Sequence, residues 1–193
     1  MKSAESIVLG MQREQQNHDI LAHRDILNLD TQTRLKHMIL HFLKYAGKFA
    51  VARQQHDSEL LQHTLIDSFI ICLATGNALN VSLAKKWGLT AADIDDLSCV
   101  IYRQRAGLDT SQIFDDALTK LSIIAGKMAK SIESTDHLER GNPRLELEDY
   151  IVELSEEMLV LIGALKINLG ALIRHRWAAV EAKSIFSDRA SIQ

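Results

Sequence analysis

The sequence predicts an all-α protein, a helical bundle with flanking helices. Three observations carry this. Apolar residues recur at three- and four-residue spacing over long stretches, as a buried helix face requires. The chain holds a single proline. Nothing alternates apolar and polar residues long enough to make a strand. With 193 residues, 47% of them hydrophobic, the chain can bury a core of its own.

The elements read in order as follows. A first amphipathic helix starts after Ser3 and runs to about His23, with Ile7, Val8, Met11 and Leu21 as apolar positions. Asp30 or Thr31 caps a second, whose Leu35, Met38, Ile39, Phe42, Leu43, Ala46, Phe49 and Ala50 form one buried face. Gln54-Gln55-His56-Asp57 breaks that pattern, and Asp57 caps a third helix reaching about Leu79. Ser82 caps a brief helix through Trp87, and Thr90 caps the next, with Asp93 in its first turn and an end near Gly107. Asp109 opens a long helix to about Ile132. Asn142-Pro143 opens another to about Ile167, since proline at the first helical position gives up an N–H that has no partner anyway. A last helix runs from Asn168 to about Phe186.

Composition removes several function classes. A net charge of −3 gives no electrostatic case for nucleic-acid binding. The apolar runs Ile66–Leu73 and Met158–Leu165 are too short to span a bilayer, and no charged-then-apolar leader opens the sequence, so a cytoplasmic location is expected. Cys72 and Cys99 sit inside apolar helical runs and read as reduced packing residues. No glycine-rich phosphate loop, nucleophile elbow or dinucleotide fingerprint is present.

The sequence also repeats itself. Ala46-Gly47-Lys48-Phe49-Ala50 returns as Ala125-Gly126-Lys127-Met128-Ala129, and Asn80-Val81-Ser82-Leu83 aligns with Lys166-Ile167-Asn168-Leu169. Two matches in the same order favour a duplicated helical hairpin. The expected division is an N-terminal helix over 1–29, a first repeat over 30–107 and a second over 108–193, joined in one compact unit. Packing one hairpin on the other makes a four-helix bundle.

On these residues the chain resembles the MazG-type, all-α nucleoside triphosphate pyrophosphohydrolases. That family carries Glu-Glu-x-Gly-Glu-Leu on one helix and Glu-x-x-Asp on the next, followed by a Leu-Gly-Ile-Asp-Leu-like break. Lys44 to Phe49, Thr64 to Asp67 and Leu79 to Leu83 stand at those places; in the second half, Ile123 to Met128, Tyr150 to Glu153 and Leu165 to Leu169 do. The resemblance implies Mg²⁺ as cofactor only if the family activity is retained, because the family's carboxylates at these motifs hold that ion. Here Lys44, Tyr45, Lys48 and Thr64 occupy their positions and Asp67 alone stays acidic; the second half keeps only Glu153. It also implies a homodimer, unless the tandem copy supplies the partner internally.

Two expectations concern the lysines. In the family geometry Lys48 faces Asp67 and Lys127 faces Glu153, each ammonium filling the metal's space; alternatively both lysines snorkel to solvent. His37, His41, Lys44 and Lys48 share one helix face, and His63 and Asp67 share another. If the faces meet, they form a pocket for a phosphate-bearing ligand, a transition-metal site on His37, His41, His63 and Asp67, or a solvated polar face. The acidic stretch Asp149, Glu153, Glu156 and Glu157 reads as helix N-terminal charge, with a residual metal site as the alternative, and Arg174, His175 and Arg176 as a basic solvated face, with anion binding as the alternative. Three functions stay open: a nucleotide pyrophosphohydrolase with an altered site, a non-catalytic binder of a nucleotide or other phosphorylated small molecule, and a partner-binding helical protein.

Overall fold

The computed structural model describes residues 1–105, 107–137 and 139–186. The end of the expected second segment, 187–193, lies outside the described residues. The chain is an all-α bundle: α1 (Ala4–Ala22), α2 (Arg24–Leu27), α3 (Thr31–Gln55), α4 (Ser58–Leu79), α5 (Ile94–Arg103), α6 (Thr110–Asp136), α7 (Pro143–Ala164) and α8 (Leu169–Glu181).

Local chemistry sets most of the helix starts. Asp30, Asp57, Asn142 and Asn168 each accept the backbone N–H of the third residue on, and Asp109 does so within a full capping box with Gln112. Two expected starts differ. Thr90 is not a cap: Thr90–Ala91 (β2) pairs antiparallel with Lys2–Ser3 (β1), and Asp93 caps α5. Ser82 opens a turn over 83–86 and no helix. The Gln12 side chain of α1 enters this break, its Oε1 accepting from Leu83 N–H at 3.2 Å and its Nε2 donating to Val81 O at 2.9 Å.

The hairpins α3–α4 and α6–α7 pack on each other within the one chain, α4 against α7 and α3 against α6. The four-helix bundle is thus completed without a second copy. Its core runs through Phe42, Phe49, Phe69, Leu73, Leu121, Met128, Leu154 and Met158. The two aligned breaks also match in backbone. Asn80 and Lys166 are both left-handed, at φ 55° and 54°, and Val81 and Ile167 donate back to Gly76 O and Ile162 O at 2.9 and 3.1 Å. These bonds close a helix end by the same device in each half. Outside the bundle, α1 lies on α4, α5 on α7, and α8 against α1, α4 and α5.

The Ala-Gly-Lys motif faces outward. Gly47, Lys48, Gly126 and Lys127 are exposed, while Tyr45, Phe49, Ala125 and Met128 around them are buried. A methyl group on Gly126 meets nothing within 4 Å, whereas one on Gly163 falls 2.3 Å from Ser98 O, where α7 and α5 touch. Gly126→Ala is therefore expected to raise stability by about 0.5–1 kcal/mol, through helix propensity. Gly163→Ala is expected to lower it by about 1–3 kcal/mol, through forced displacement of α5. Urea unfolding of the two variants checks both signs.

Candidate functional site

The expected cluster on α3 and α4 divides between two sides of the molecule. His37 and His41 line a cavity enclosed by α1, α2, α3 and α4, together with Asp19, His23 and Arg34. Lys48, His63 and Asp67 line a separate groove between α4 and α8. Lys44 lies between the two, its ammonium donating to His41 Nδ1 at 3.0 Å.

In the groove, Asp67 is held by Arg176. The guanidinium donates from Nε to Oδ1 at 2.7 Å and from Nη2 to Oδ2 at 3.0 Å, a two-point pairing that a lysine cannot make. This corrects the expected Lys48–Asp67 pair: Lys48 is exposed and makes no ion pair among the described residues. Residues 174–176 are exposed, as a solvated face requires, and within that face His175 and Arg176 line the groove. Around the spent carboxylate the groove presents Lys48, His63 and His175 over about 310 Å³. Thr64 adds a buried Oγ1 with no hydrogen-bond partner. Burial and then the Lys48 charge push the Lys44 ammonium below its usual range, so positive charge is crowded along this edge of α3.

The cavity has different chemistry. Lysine has only donors, so His41 Nδ1 is the acceptor from Lys44 and His41 Nε2–H donates to His37 Nε2 at 3.1 Å. Burial, then Lys44 and His37, depress His41 to about 4, keeping it neutral. His23 is lowered in the same direction, chiefly by burial and then by His18. Asp19 is buried without an ion pair, and desolvation raises its carboxyl to about 6. Its Oδ1 accepts from Gln15 Nε2 at 2.8 Å, and Gln15 Oε1 accepts from Trp177 Nε1 at 2.8 Å, which ties α1 to α8.

The second half differs at the aligned positions. Lys127 lies over the Tyr150 ring at 5.6 Å, and Glu153 is exposed, so the expected Lys127–Glu153 pair is absent. The buried acid is Glu157, one turn further on, held by Lys120 at 2.6 Å and Arg105 at 3.1 Å. In the sequence alignment of the two halves Lys120 and Glu157 match His41 and Ile71, both of which line the cavity.

No family model matches the chain, and comparisons with curated proteins and with solved structures returned no match. Sequence reasoning missed Asp19, His23 and Arg34. His18 and His23 are five apart and share no helical face; they converge because α1 ends at Ala22 and His23 leaves helical geometry, at φ −134°.

Asp19 gives a pH-dependent prediction. A carboxyl held near 6 instead of 3.8 carries an ionisation penalty on the order of 3 kcal/mol. Between those values the folded chain binds more protons than the unfolded chain, so stability falls as pH rises, and the full penalty applies above about pH 6. Asp19→Asn should stabilise the apo protein by about 1–3 kcal/mol above pH 7, with the gain vanishing below about pH 4. His41 and His23 act oppositely, losing stability as pH falls below the ordinary imidazole range, so thermal unfolding of variant minus wild type isolates Asp19.

Proposed function

We propose that this protein is a non-catalytic binder of a phosphate-bearing small molecule, a nucleotide by preference, held in the groove between α4 and α8. In this reading it descends from a MazG-type bundle whose metal-dependent hydrolysis has been lost. The observation that carries the reading is the engagement of Asp67 by Arg176. Asp67, the single acid kept at the family motifs in the first half, is already neutralised, while Lys48, His63 and His175 line the groove around it with no ion pair among the described residues and Thr64 holds an unpartnered hydroxyl. One carboxylate locked in a guanidinium fork is a poor magnesium ligand, and nearby ammonium groups repel the ion. The same groups suit a phosphate, which takes charge-assisted hydrogen bonds from lysine and imidazolium and a neutral one from a hydroxyl.

Thermal-shift and calorimetric titration with nucleoside mono- and triphosphates, with and without Mg²⁺, tests this. A phosphate compound should raise the melting temperature, since a ligand that binds only the folded chain stabilises it. Lys48→Glu combined with His175→Ala should weaken that binding at least tenfold (a change of about 1.4 kcal/mol). Failure of every phosphate compound to bind, or Mg²⁺-dependent release of pyrophosphate, contradicts the proposal.

A further inference from the structure

We propose that His18, Asp19 and His23 form a binding site for a first-row divalent transition-metal ion, Zn²⁺ or Co²⁺, whose remaining coordination positions face the cavity between α1 and α4. One ligand atom from each of the three residues lies within 4.8 Å of the other two. Two imidazoles and one carboxylate suit such ions and leave positions open for a water or a further ligand.

The surroundings are those of a supported site. The His18 ring is buried and stacked on Trp177, and its Nδ1 is held by Glu181 Oε1 at 2.8 Å. A carboxylate on one ring nitrogen fixes the tautomer and leaves the other nitrogen's lone pair for a metal. Gln15 holds Asp19 Oδ1 and is itself held by Trp177, which leaves Asp19 Oδ2 without a protein partner. A buried carboxylate that forms no ion pair carries a desolvation cost, which His18 and Arg34 offset only in part. Bound metal supplies the missing charge.

Asp19 and His23 both line the cavity, so the open positions of the ion point into it. Arg34 lines it too, and its buried Nε has no hydrogen-bond partner. A guanidinium there opposes a bare cation but pairs with a small anion, such as a carboxylate, bound to the metal. His37 and His41 close the far wall, and their mutual hydrogen bond and the Lys44 contact keep them occupied with each other. The site is distinct from the α4–α8 groove and does not rest on the nucleotide reading.

Titration of the full chain with Co²⁺, followed by visible absorption and by the shift in melting temperature, tests the proposal. The wild type should bind one ion with d–d bands of a low-coordinate nitrogen and oxygen site, and Zn²⁺ should displace it. Asp19→Asn and His23→Ala should each weaken binding at least tenfold, while His63→Ala, on the other side of α4, should not. Asp19→Asn is the decisive variant because the apo protein is expected to gain stability from it, so lost binding cannot be put down to unfolding. Absence of stoichiometric Co²⁺ binding by the wild type overturns the proposal. So does binding that survives Asp19→Asn, or binding that moves with His37→Ala and not with His23→Ala.

Discussion

Two helices of this chain cannot be left with a bare side. α4 and α7 carry apolar residues around most of their circumference, with Leu65, Ile66, Phe69, Cys72 and Leu73 buried in one, and Leu154, Met158, Leu159, Val160, Leu161 and Ile162 in the other. A helix apolar all round must be enclosed. The hairpin partners α3 and α6 cover one flank, α4 and α7 cover each other, and α1, α5 and α8 cover what remains. Burying a leucine or phenylalanine side chain is worth roughly 1.5–3 kcal/mol, so this enclosure dominates every polar contact in the molecule.

The polar sites are consequences of that enclosure. Covering α4 from one side brings α8 across it and lays Arg176 on Asp67; covering it from the other brings α1 across and places Asp19 and His23 opposite His37 and His41. In the second half, α5 lies against α7, and Arg105 just beyond α5 reaches Glu157. The acids near the bundle surface at both places are matched by cations from the chain itself. Asp19 is the exception: it forms no ion pair among the described residues, and the cost of its burial outweighs the pull of Gln15, His18 and Arg34.

The sequence disclosed what is local and hid what is distant. Asp30, Asp57, Asp109, Asn142 and Asn168 were readable as caps because a side chain and an N–H three residues away decide the matter. The matched breaks at Asn80 and Lys166 were readable from their alignment. The Asp67–Arg176 fork joins residues 109 apart, and nothing in a basic tripeptide on an amphipathic helix tells which way it turns. Helical spacing put His37, His41, Lys44 and Lys48 on one face correctly, but one face spans both the cavity and the groove. Two-residue strands lie below any periodicity, and the Gln12 side chain that holds the break after Ser82 comes from 71 residues before Leu83.

The central claim is that a guanidinium from α8, and not a metal ion, neutralises Asp67 on α4. A double-mutant cycle on Asp67→Asn and Arg176→Gln, run by chemical unfolding with and without Mg²⁺, measures this directly. Because Arg176 is half exposed, the account predicts a favourable coupling of only about 1 kcal/mol, unchanged by Mg²⁺. A coupling of zero, or stabilisation of the wild type by Mg²⁺ that disappears in Asp67→Asn, would contradict it.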